Sequence, residues 1–153
     1  VVYLYEESPQ HVAGLVINKP TRTKLQKIFQ VKGFKTINIS DLVYSGGPVN
    51  QGNIIMMHTN EWKCKNTLPL ANGISITSDP QMLKKMHEQD QPQAWRVFSG
   101  LSIWSPGQLE GEINSKCWMT AIPTPELSLE TPTTQIYEKA IEICSKQIID
   151  KYI

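Results

Sequence analysis

The side chains best suited to chemistry are one histidine, one glutamate and a glycine pair. His58 ends an apolar run, where an imidazole can act as a general base if a nucleophile or a carboxylate meets it in space. Glu110 lies in a later segment that predicts a helix. Gly46 and Gly47, followed by Pro48, can place successive backbone amides in a concave turn that binds an anion. Together these residues would suit a small hydrolase acting on a phosphate or acyl substrate.

The sequence lacks the motifs that usually accompany such chemistry. It contains no Gly-x-Ser-x-Gly nucleophile elbow and no His-Glu-x-x-His zinc motif. No Gly-Lys-Ser or Gly-Lys-Thr follows the glycine pair, so this segment does not match a phosphate loop. A tight turn at Gly46 and Gly47 and a hydrogen-bonded structural role for His58 explain these residues more simply. We therefore assign no catalytic residue and no metal ligand.

A second group of residues favours binding. Trp104 directly precedes a predicted helix start, where Ser105 caps the first turn and Gln108 pairs reciprocally with the cap. Such a helix end carries positive potential, and the tryptophan beside it offers an aromatic contact surface for an acidic partner. We expect Glu110 to face this corner and Glu112 to face elsewhere, since two helical positions differ by roughly 200°.

Two residues near the start of the chain are expected to join this corner. Asn18 and Lys19 end a strand just before Pro20, where they could supply an amide and a positive charge or form a solvated strand end. We therefore predict one binding corner shared by several segments, with His58 as a further candidate contact. Its members are Asn18, Lys19, Gly46, Gly47, Pro48, Trp104, Gln108 and Glu110.

The bulk properties are those of one globular domain. The chain has 153 residues, of which 40% are hydrophobic and 19% charged, and this is enough apolar material for a core. The formal net charge is +1 and the lysines are scattered, so charge does not indicate direct nucleic-acid binding, although it does not forbid it. The 3 cysteines share no metal-ligand spacing, and no apolar run reaches the ~20 residues of a membrane span. We expect a cytoplasmic protein without a membrane partner.

Apolar periodicity predicts an α+β fold with a mainly antiparallel sheet. Residues 1–5 and 12–17 are typical of a strand pair, and further strands are expected at 53–58, 74–77 and 95–98. The strands arrive in pairs and the helices separately, which is the pattern of α+β proteins.

Helices are predicted at turn signals and at the C-terminal end. Thr23 begins a segment that resembles a capping box, which would open a helix that ends at Gly33. Asp79 is expected to cap the start of a second helix. The prolines of residues 123–132 predict irregular structure. Beyond Thr134, apolar residues recur at three- and four-residue steps, which predicts an amphipathic helix packed on a sheet face. Those residues are Tyr137, Ile141, Cys144, Ile148 and Tyr152.

Five motifs, taken in order, give a resemblance to a known family. They are Gly14-Leu15-Val16-Ile17-Asn18-Lys19-Pro20, Ser45-Gly46-Gly47-Pro48-Val49, a strand ending at His58, Gly73-Ile74-Ser75-Ile76-Thr77, and Trp104-Ser105-Pro106-Gly107-Gln108-Leu109-Glu110 followed by Glu112-Ile113. Over most of its length the chain resembles the AlgH/YqgE family of small bacterial proteins. The resemblance implies curled, barrel-like sheets flanked by helices. For some members it also implies a role in transcriptional regulation, with no agreed reaction.

The resemblance has one departure and one gap. Where the family often has Asp and Arg before the strand ending in histidine, this chain has Gly52 and Asn53. Family members usually have another segment before the position of Val1. We therefore expect residues 1–153 to form a single AlgH/YqgE-like domain that lacks an N-terminal segment.

The sequence thus favours a non-catalytic binding or regulatory module without a cofactor. Its expected partner is a protein or a small anionic ligand. The alternative from another class is a small hydrolase that uses His58 and Glu110 on an anionic substrate, and a third reading is a regulator that binds DNA directly.

Overall fold

A computed structural model describes residues 1–35 and 37–152, and within them the chain forms eight strands and four α-helices. The strands are β1 (Val2–Glu7), β2 (Val12–Val16), β3 (Pro20–Lys24), β4 (Leu42–Ser45), β5 (Val49–Thr59), β6 (Thr67–Pro69), β7 (Ile74–Thr77) and β8 (Trp95–Trp104). The α-helices are α1 (Leu25–Val31), α2 (Gln81–His87), α3 (Gln108–Asn114) and α4 (Ile136–Tyr152). Short helical turns lie at Ala71–Gly73, Glu126–Glu130 and Thr133–Gln135.

The strands build one curled sheet in the order β1-β2-β8-β5-β7-β6, with β4 paired to β8 and β3 paired to β4. Every pairing is antiparallel except that of β4 with β8. The result is a half-barrel with a C-terminal helix, so the predicted α+β fold class is confirmed. The predicted pairing of the first two strands is confirmed as well.

Strand β8 is central because it pairs with β2, β4 and β5. It is long and mostly buried, with Val97 and Phe98 almost fully removed from solvent. Because three strands pair with β8 along its length, residues that follow its two ends lie far apart in the molecule. The predicted strand at 95–98 is therefore correct but too short.

The core lies on both faces of the curled sheet. One cluster joins the sheet to the C-terminal part of the chain and includes Leu15, Phe98 and Ile136. The other packs α1 and α2 on the opposite side, with Phe29 and Met56 among its buried members. Burial of these side chains stabilises the half-barrel at about 25 cal/mol per Å² of apolar surface.

Two predicted helix boundaries are confirmed and one cap is wrong. Asp79 Oδ1 accepts a hydrogen bond from the Gln81 amide at 2.9 Å, which opens α2. Gly33 follows α1 with a φ of +82°, a conformation that favours glycine. The predicted capping box at Thr23 does not form, because α1 begins after Lys24 without a side-chain cap.

The segment between the prolines is more ordered than its composition predicts. Residues Glu126–Glu130 form a π-helical turn that buries Leu127 and Leu129, so the expectation of irregular structure over 123–132 is wrong in part. The turn begins after Pro125 and ends before Pro132, and proline is tolerated at helix boundaries. Its far end is held by the buried Arg96, which donates to the Thr131 carbonyl.

Helix α4 forms where predicted, but of the predicted stripe only Cys144 is fully buried. Ile136 and Cys144 are buried, while Tyr137, Ile148 and Tyr152 are 62%, 50% and 83% exposed. The helix packs on the core through Ile136 and its neighbours, and the predicted stripe lies beside that contact. Apolar periodicity identifies the helix but does not by itself say which apolar face is covered.

No helix within residues 1–35 and 37–152 is long and apolar enough to cross a membrane.

A tryptophan-lined corner and its cavity

The glycine turn is a close backbone crossing. Gly46 is buried, its N–H donates to the Ser99 carbonyl at 3.0 Å, and its own carbonyl accepts from the Val16 N–H at 2.9 Å. A Cβ on Gly46 would lie 2.3 Å from the Gly100 carbonyl oxygen. Because its amide is already paired and the space around it is closed, Gly46 does not present an anion-binding turn.

Gly47 and Pro48 complete this crossing. A Cβ on Gly47 would lie 2.2 Å from the Leu101 carbonyl carbon, so only glycine fits. Pro48 is exposed and leads into β5, whose first residue Val49 pairs with Leu101. The pair of glycines therefore lets β4 and β5 approach the middle of β8.

Asn18 and Lys19 lie near the glycine turn. Asn18 Oδ1 accepts a hydrogen bond from the Val1 nitrogen at 2.8 Å, and the Lys19 carbonyl accepts from the Ser45 N–H at 2.9 Å. The Lys19 side chain is exposed. The Lys19 backbone therefore pairs with the residue just before the glycine turn, whereas the Asn18 side chain binds the start of β1.

Lys19 and Trp104 are not brought together. Trp104 pairs with Val12, the first residue of β2, whereas Lys19 lies beyond Val16, the last residue of that strand. The strand from Val12 to Val16 alone spans about 13 Å at ~3.3 Å per residue. The predicted single corner is therefore divided into a glycine-turn region with Asn18 and Lys19 and a separate α3 corner.

His58 is a fully buried structural residue. Its Nδ1 is 2.8 Å from the Thr59 carbonyl and its Nε2 is 2.8 Å from Thr77 Oγ1, which in turn lies 2.7 Å from Thr67 Oγ1. Its ring contacts Trp62 edge to face, with centroids 5.0 Å apart. Burial lowers the pKa of His58, so the imidazole is neutral at physiological pH.

His58 and Glu110 lie at opposite ends of β8. His58 pairs with Trp95 at the start of that strand, and α3 with Glu110 follows Trp104 at its end. Nine residues of extended chain span roughly 30 Å. The structure therefore does not assemble the histidine–carboxylate pair that the hydrolase alternative requires.

Helix α3 is preceded by a turn and lacks the predicted side-chain cap at Ser105. The Ser105 N–H donates to Gln108 Oε1 at 3.0 Å, which forms half of the predicted reciprocal pair. Gly107 has a φ of +77° and α3 starts at Gln108, so the helix begins later than predicted. No side chain caps it. The helix is only seven residues long, and its dipole contributes little to binding.

Glu112 is the polar centre of this corner, contrary to the expectation that it faces elsewhere. Its Oε2 accepts hydrogen bonds from the indole nitrogens of Trp118 at 2.7 Å and Trp104 at 3.2 Å, and its Oε1 accepts from Gln108 Nε2 at 3.1 Å. These bonds, that of Trp118 foremost, lower the pKa of Glu112. Glu110, two residues earlier in α3, is exposed.

The two tryptophans have different roles. Trp104 is 7% exposed and packs with Val12 and Leu109, whereas Trp118 is 38% exposed and meets Trp104 edge to face at 6.2 Å. Trp104 is therefore part of the buried packing of the corner, and Trp118 supplies its exposed aromatic surface. Trp118 was not among the predicted site residues, although it follows α3 by only a few residues along the chain, which is short enough to suggest a contact.

An open cavity of about 530 Å³ lies beside α3, and we call it the corner cavity. Its walls come from β1, α3, the segment after α3, the π-helical turn and α4. The lining residues are Val1, Val2, Tyr3, Leu4, Ile17, Trp104, Leu109, Ile113, Cys117, Trp118, Met119, Thr120, Ala121, Pro123, Leu127, Ser128, Tyr137, Ala140, Ile141 and Cys144. None of these side chains is charged.

The corner cavity includes an unpaired polar group. Ser128 is fully buried, and its Oγ is the one buried side-chain polar atom without a hydrogen-bond partner within residues 1–35 and 37–152. In the same part of the chain, no group of three or more His, Cys, Asp and Glu residues is placed to hold a metal ion. The three cysteines are all free thiols.

These features place the chain in a class of α+β proteins: a curled, mainly antiparallel half-barrel with a C-terminal helix and an apolar cavity at one corner. Within that class the chain belongs to the AlgH-like family, whose sequence profile matches residues 1–148. The predicted family membership is therefore confirmed.

Relatives agree with this assignment, and solved structures share the fold. The chain is 31% identical over 150 residues to a UPF0301 protein of Proteus mirabilis (94% of this chain, 80% of the relative) and 32% identical over 156 residues to one of Polaromonas sp. (96% and 80%). The solution structure of AlgH from Pseudomonas aeruginosa matches with a TM-score of 0.79 at 25% identity, covering 93% of this chain and 77% of that one. A crystal structure from Corynebacterium diphtheriae matches with a TM-score of 0.71 at 21% identity, covering 91% and 74%.

Proposed function

We propose that this chain is a non-catalytic binding module with a regulatory role, and that it recognises a protein partner through the rim of the corner cavity. The observation that carries the proposal is a group of exposed apolar side chains, which we call the rim. Trp118, Met119 and Tyr137 line the corner cavity and are 38%, 52% and 62% exposed, and Ile122, on the same segment as Met119, is 65% exposed. Clusters of exposed apolar and aromatic side chains are characteristic of interaction sites.

The rim is held in place by contacts that would keep it ready for binding. Glu112 ties Trp118 to α3, and the Gln147 side chain accepts a hydrogen bond from the Ile122 N–H at 3.1 Å. Both ends of the segment that carries the rim are therefore anchored, one to α3 and one to α4. A preorganised surface loses less conformational entropy when a partner binds.

A small anionic ligand receives less support from the geometry than a protein partner. Lys19 lies at the far side of β2, the amide of Gly46 is paired, and Glu110 and Glu112 place negative charge at the corner. The hydrolase alternative lacks support for a different reason, which is the distance between His58 and Glu110 along β8.

Two further parts of the proposal concern context. We propose a role in transcriptional regulation exerted through the protein partner, because the scattered lysines and the formal charge of +1 do not favour direct DNA binding. We also propose a cytoplasmic location, which the three free thiols support because secreted domains of this size often form disulfides.

Site-specific photo-crosslinking tests the proposal. A photoreactive amino acid at Met119, within the rim, should crosslink one defined protein in cells, and the product should disappear when Trp118→Ala is added. The matched control is the same probe at Lys84, which is exposed on α2 on the other side of the sheet. Crosslinks of equal yield from both positions would refute the rim as the binding surface. So would a hydrolytic activity that is lost in Glu110→Gln while the fold is unchanged.

A further inference from the structure

We propose that the partner recognised at the rim binds through a basic amphipathic segment, in which lysine or arginine side chains lie beside apolar ones. The inference rests on the proposed function and deepens it, because it names the chemistry of the partner. It differs from the acidic partner that the helix end suggested in the sequence, since the side chains beside the rim carry negative charge.

The segment that carries the rim is strongly acidic. Residues 105–144, which include α3, the rim and the first half of α4, contain six glutamates and two lysines and have a net charge of −4. The whole chain has a formal net charge of +1. Within this segment Lys139 Nζ lies 3.6 Å from Glu126 Oε1, which leaves Lys116 to offset the five other glutamates. The nearly neutral total thus conceals an acidic region at the rim.

The two helices beside the rim place glutamates next to apolar residues. In each of α3 and α4, two residues that line the corner cavity have a glutamate as a direct neighbour in sequence. The pairs are Leu109 with Glu110, Ile113 with Glu112, Tyr137 with Glu138, and Ile141 with Glu142. A surface that combines apolar side chains with carboxylates is complementary to a segment that combines apolar side chains with cations.

Three of these four carboxylates are available to a partner. Glu110, Glu138 and Glu142 are exposed, and within residues 1–35 and 37–152 none of them forms a salt bridge. Glu138 and Glu142 lie one turn apart on α4, and like charges in this arrangement destabilise a helix slightly. Their repulsion is unfavourable in the free protein, and a lysine or arginine of the partner would relieve it.

The aromatic side chains of the rim suit the same partner. Trp118 and Tyr137 are partly exposed, and a cationic side chain is attracted to the face of an aromatic ring. The aliphatic stems of lysine and arginine also pack on apolar surface while the charged end stays in water, close to the carboxylates. A basic amphipathic segment can therefore contact the apolar and the acidic parts of this surface together.

A matched pair of synthetic peptides tests the proposal on the whole chain. Both peptides are amphipathic helices of about five turns with leucine on one face, and the opposite face carries lysine in one peptide and glutamate in the other. Fluorescence anisotropy measures their binding at about 50 mM and about 300 mM NaCl. We expect the lysine peptide to bind at least ~10-fold more tightly than the glutamate peptide at the lower salt concentration. Most of this difference should disappear at the higher one, because salt screens exposed charges.

Charge-reversing variants separate recognition from stability. Glu138→Lys should weaken binding of the lysine peptide about 10-fold, because an attraction becomes a repulsion. It should leave the denaturation midpoint unchanged or raise it, since the like-charge pair with Glu142 is removed. Trp118→Ala should weaken binding about 10-fold as well, because tryptophan is a common anchor of interfaces. The matched control Glu88→Lys, exposed at the end of α2 on the other side of the sheet, should leave binding unchanged.

Several outcomes would overturn the proposal. These are equal binding of the two peptides, lysine-peptide binding that Glu138→Lys or Trp118→Ala leaves unchanged, or no detectable binding of the lysine peptide. Mass spectrometry of the product crosslinked at Met119 gives a further test, in which a contacting fragment rich in lysine or arginine supports the proposal. An acidic fragment, or one from a second copy of this chain, would overturn it and leave the rim as a binding surface. The absence of any protein crosslinked at Met119 would refute the proposed function as well, so the two failures are distinguishable.

Discussion

Replacing His58 by alanine distinguishes a structural histidine from a catalytic one. The imidazole is fully buried, makes two hydrogen bonds of 2.8 Å and packs edge to face on Trp62. Each hydrogen bond contributes about 1 kcal/mol net, and truncating a buried ring to alanine leaves a cavity that costs about 3 kcal/mol or more. We therefore expect His58→Ala to lower the free energy of unfolding by about 3–5 kcal/mol.

The same residue predicts a pH dependence of stability. Burial lowers the pKa of His58 in the folded protein below its ordinary value of about 6.5. The unfolded chain therefore binds a proton at His58 where the folded chain does not, and stability decreases as pH falls below about 6.5. Above that pH this contribution is fully present. His58→Gln should remove the part of the slope between pH 7 and pH 5 that arises from this histidine.

Urea denaturation followed by tryptophan fluorescence measures both effects. The matched control is His11→Ala, since the His11 ring is 34% exposed and its Nε2 lies 3.3 Å from Glu6 Oε1. A surface pair of this kind contributes at most about 1 kcal/mol. A denaturation midpoint for His58→Ala equal to that of His11→Ala would refute the account of His58 as a buried structural residue. Loss of a measurable reaction at unchanged stability would favour the enzyme reading.

Three further predictions follow from the turns and the charge. Gly46→Ala should destabilise the protein by about 3 kcal/mol or more, since its Cβ would meet the Gly100 carbonyl, whereas Gly52→Ala, with open space around it, should be neutral in the same urea titration; equal midpoints would show that the crossing is loose. Gly111→Ala, in exposed α3, should raise the free energy of unfolding by about 0.5–1 kcal/mol, and a decrease would mean that α3 is not helical there. Random duplex DNA at ~150 mM salt should not be retained in a mobility-shift assay, and micromolar binding with a steep salt dependence would support direct DNA recognition instead.

Local signals in the sequence predicted much of the fold correctly. The apolar, β-rich composition of the first two strands, the cap at Asp79 and the left-handed glycine at Gly33 act over a few residues, so their physical basis is visible in the sequence itself. The five ordered motifs also identified the family correctly. Each of these inferences depends on neighbours along the chain.

The candidate site depended on contacts that the sequence does not encode locally. Gly46 and Gly47 suggested an anion-binding turn, but their conformation and closed surroundings come from Gly100 and Leu101 on another strand. The register of β2 against β8 decided that Lys19 lies away from Trp104. The neighbours of a side chain across a sheet depend on strand order, direction and register. The residues next to it in the sequence do not specify these.

What the sequence determined by itself is the fold class, several of the strands and helices, the family and some of the residues that turn the chain. Only the tertiary structure decided that His58 is buried far from Glu110, that Glu112 accepts hydrogen bonds from two indoles, and that Tyr137 and Ile141 of α4 line a cavity. The physical reason is that secondary structure arises from short-range backbone and hydrophobic preferences, whereas a site arises from side chains that distant segments bring together.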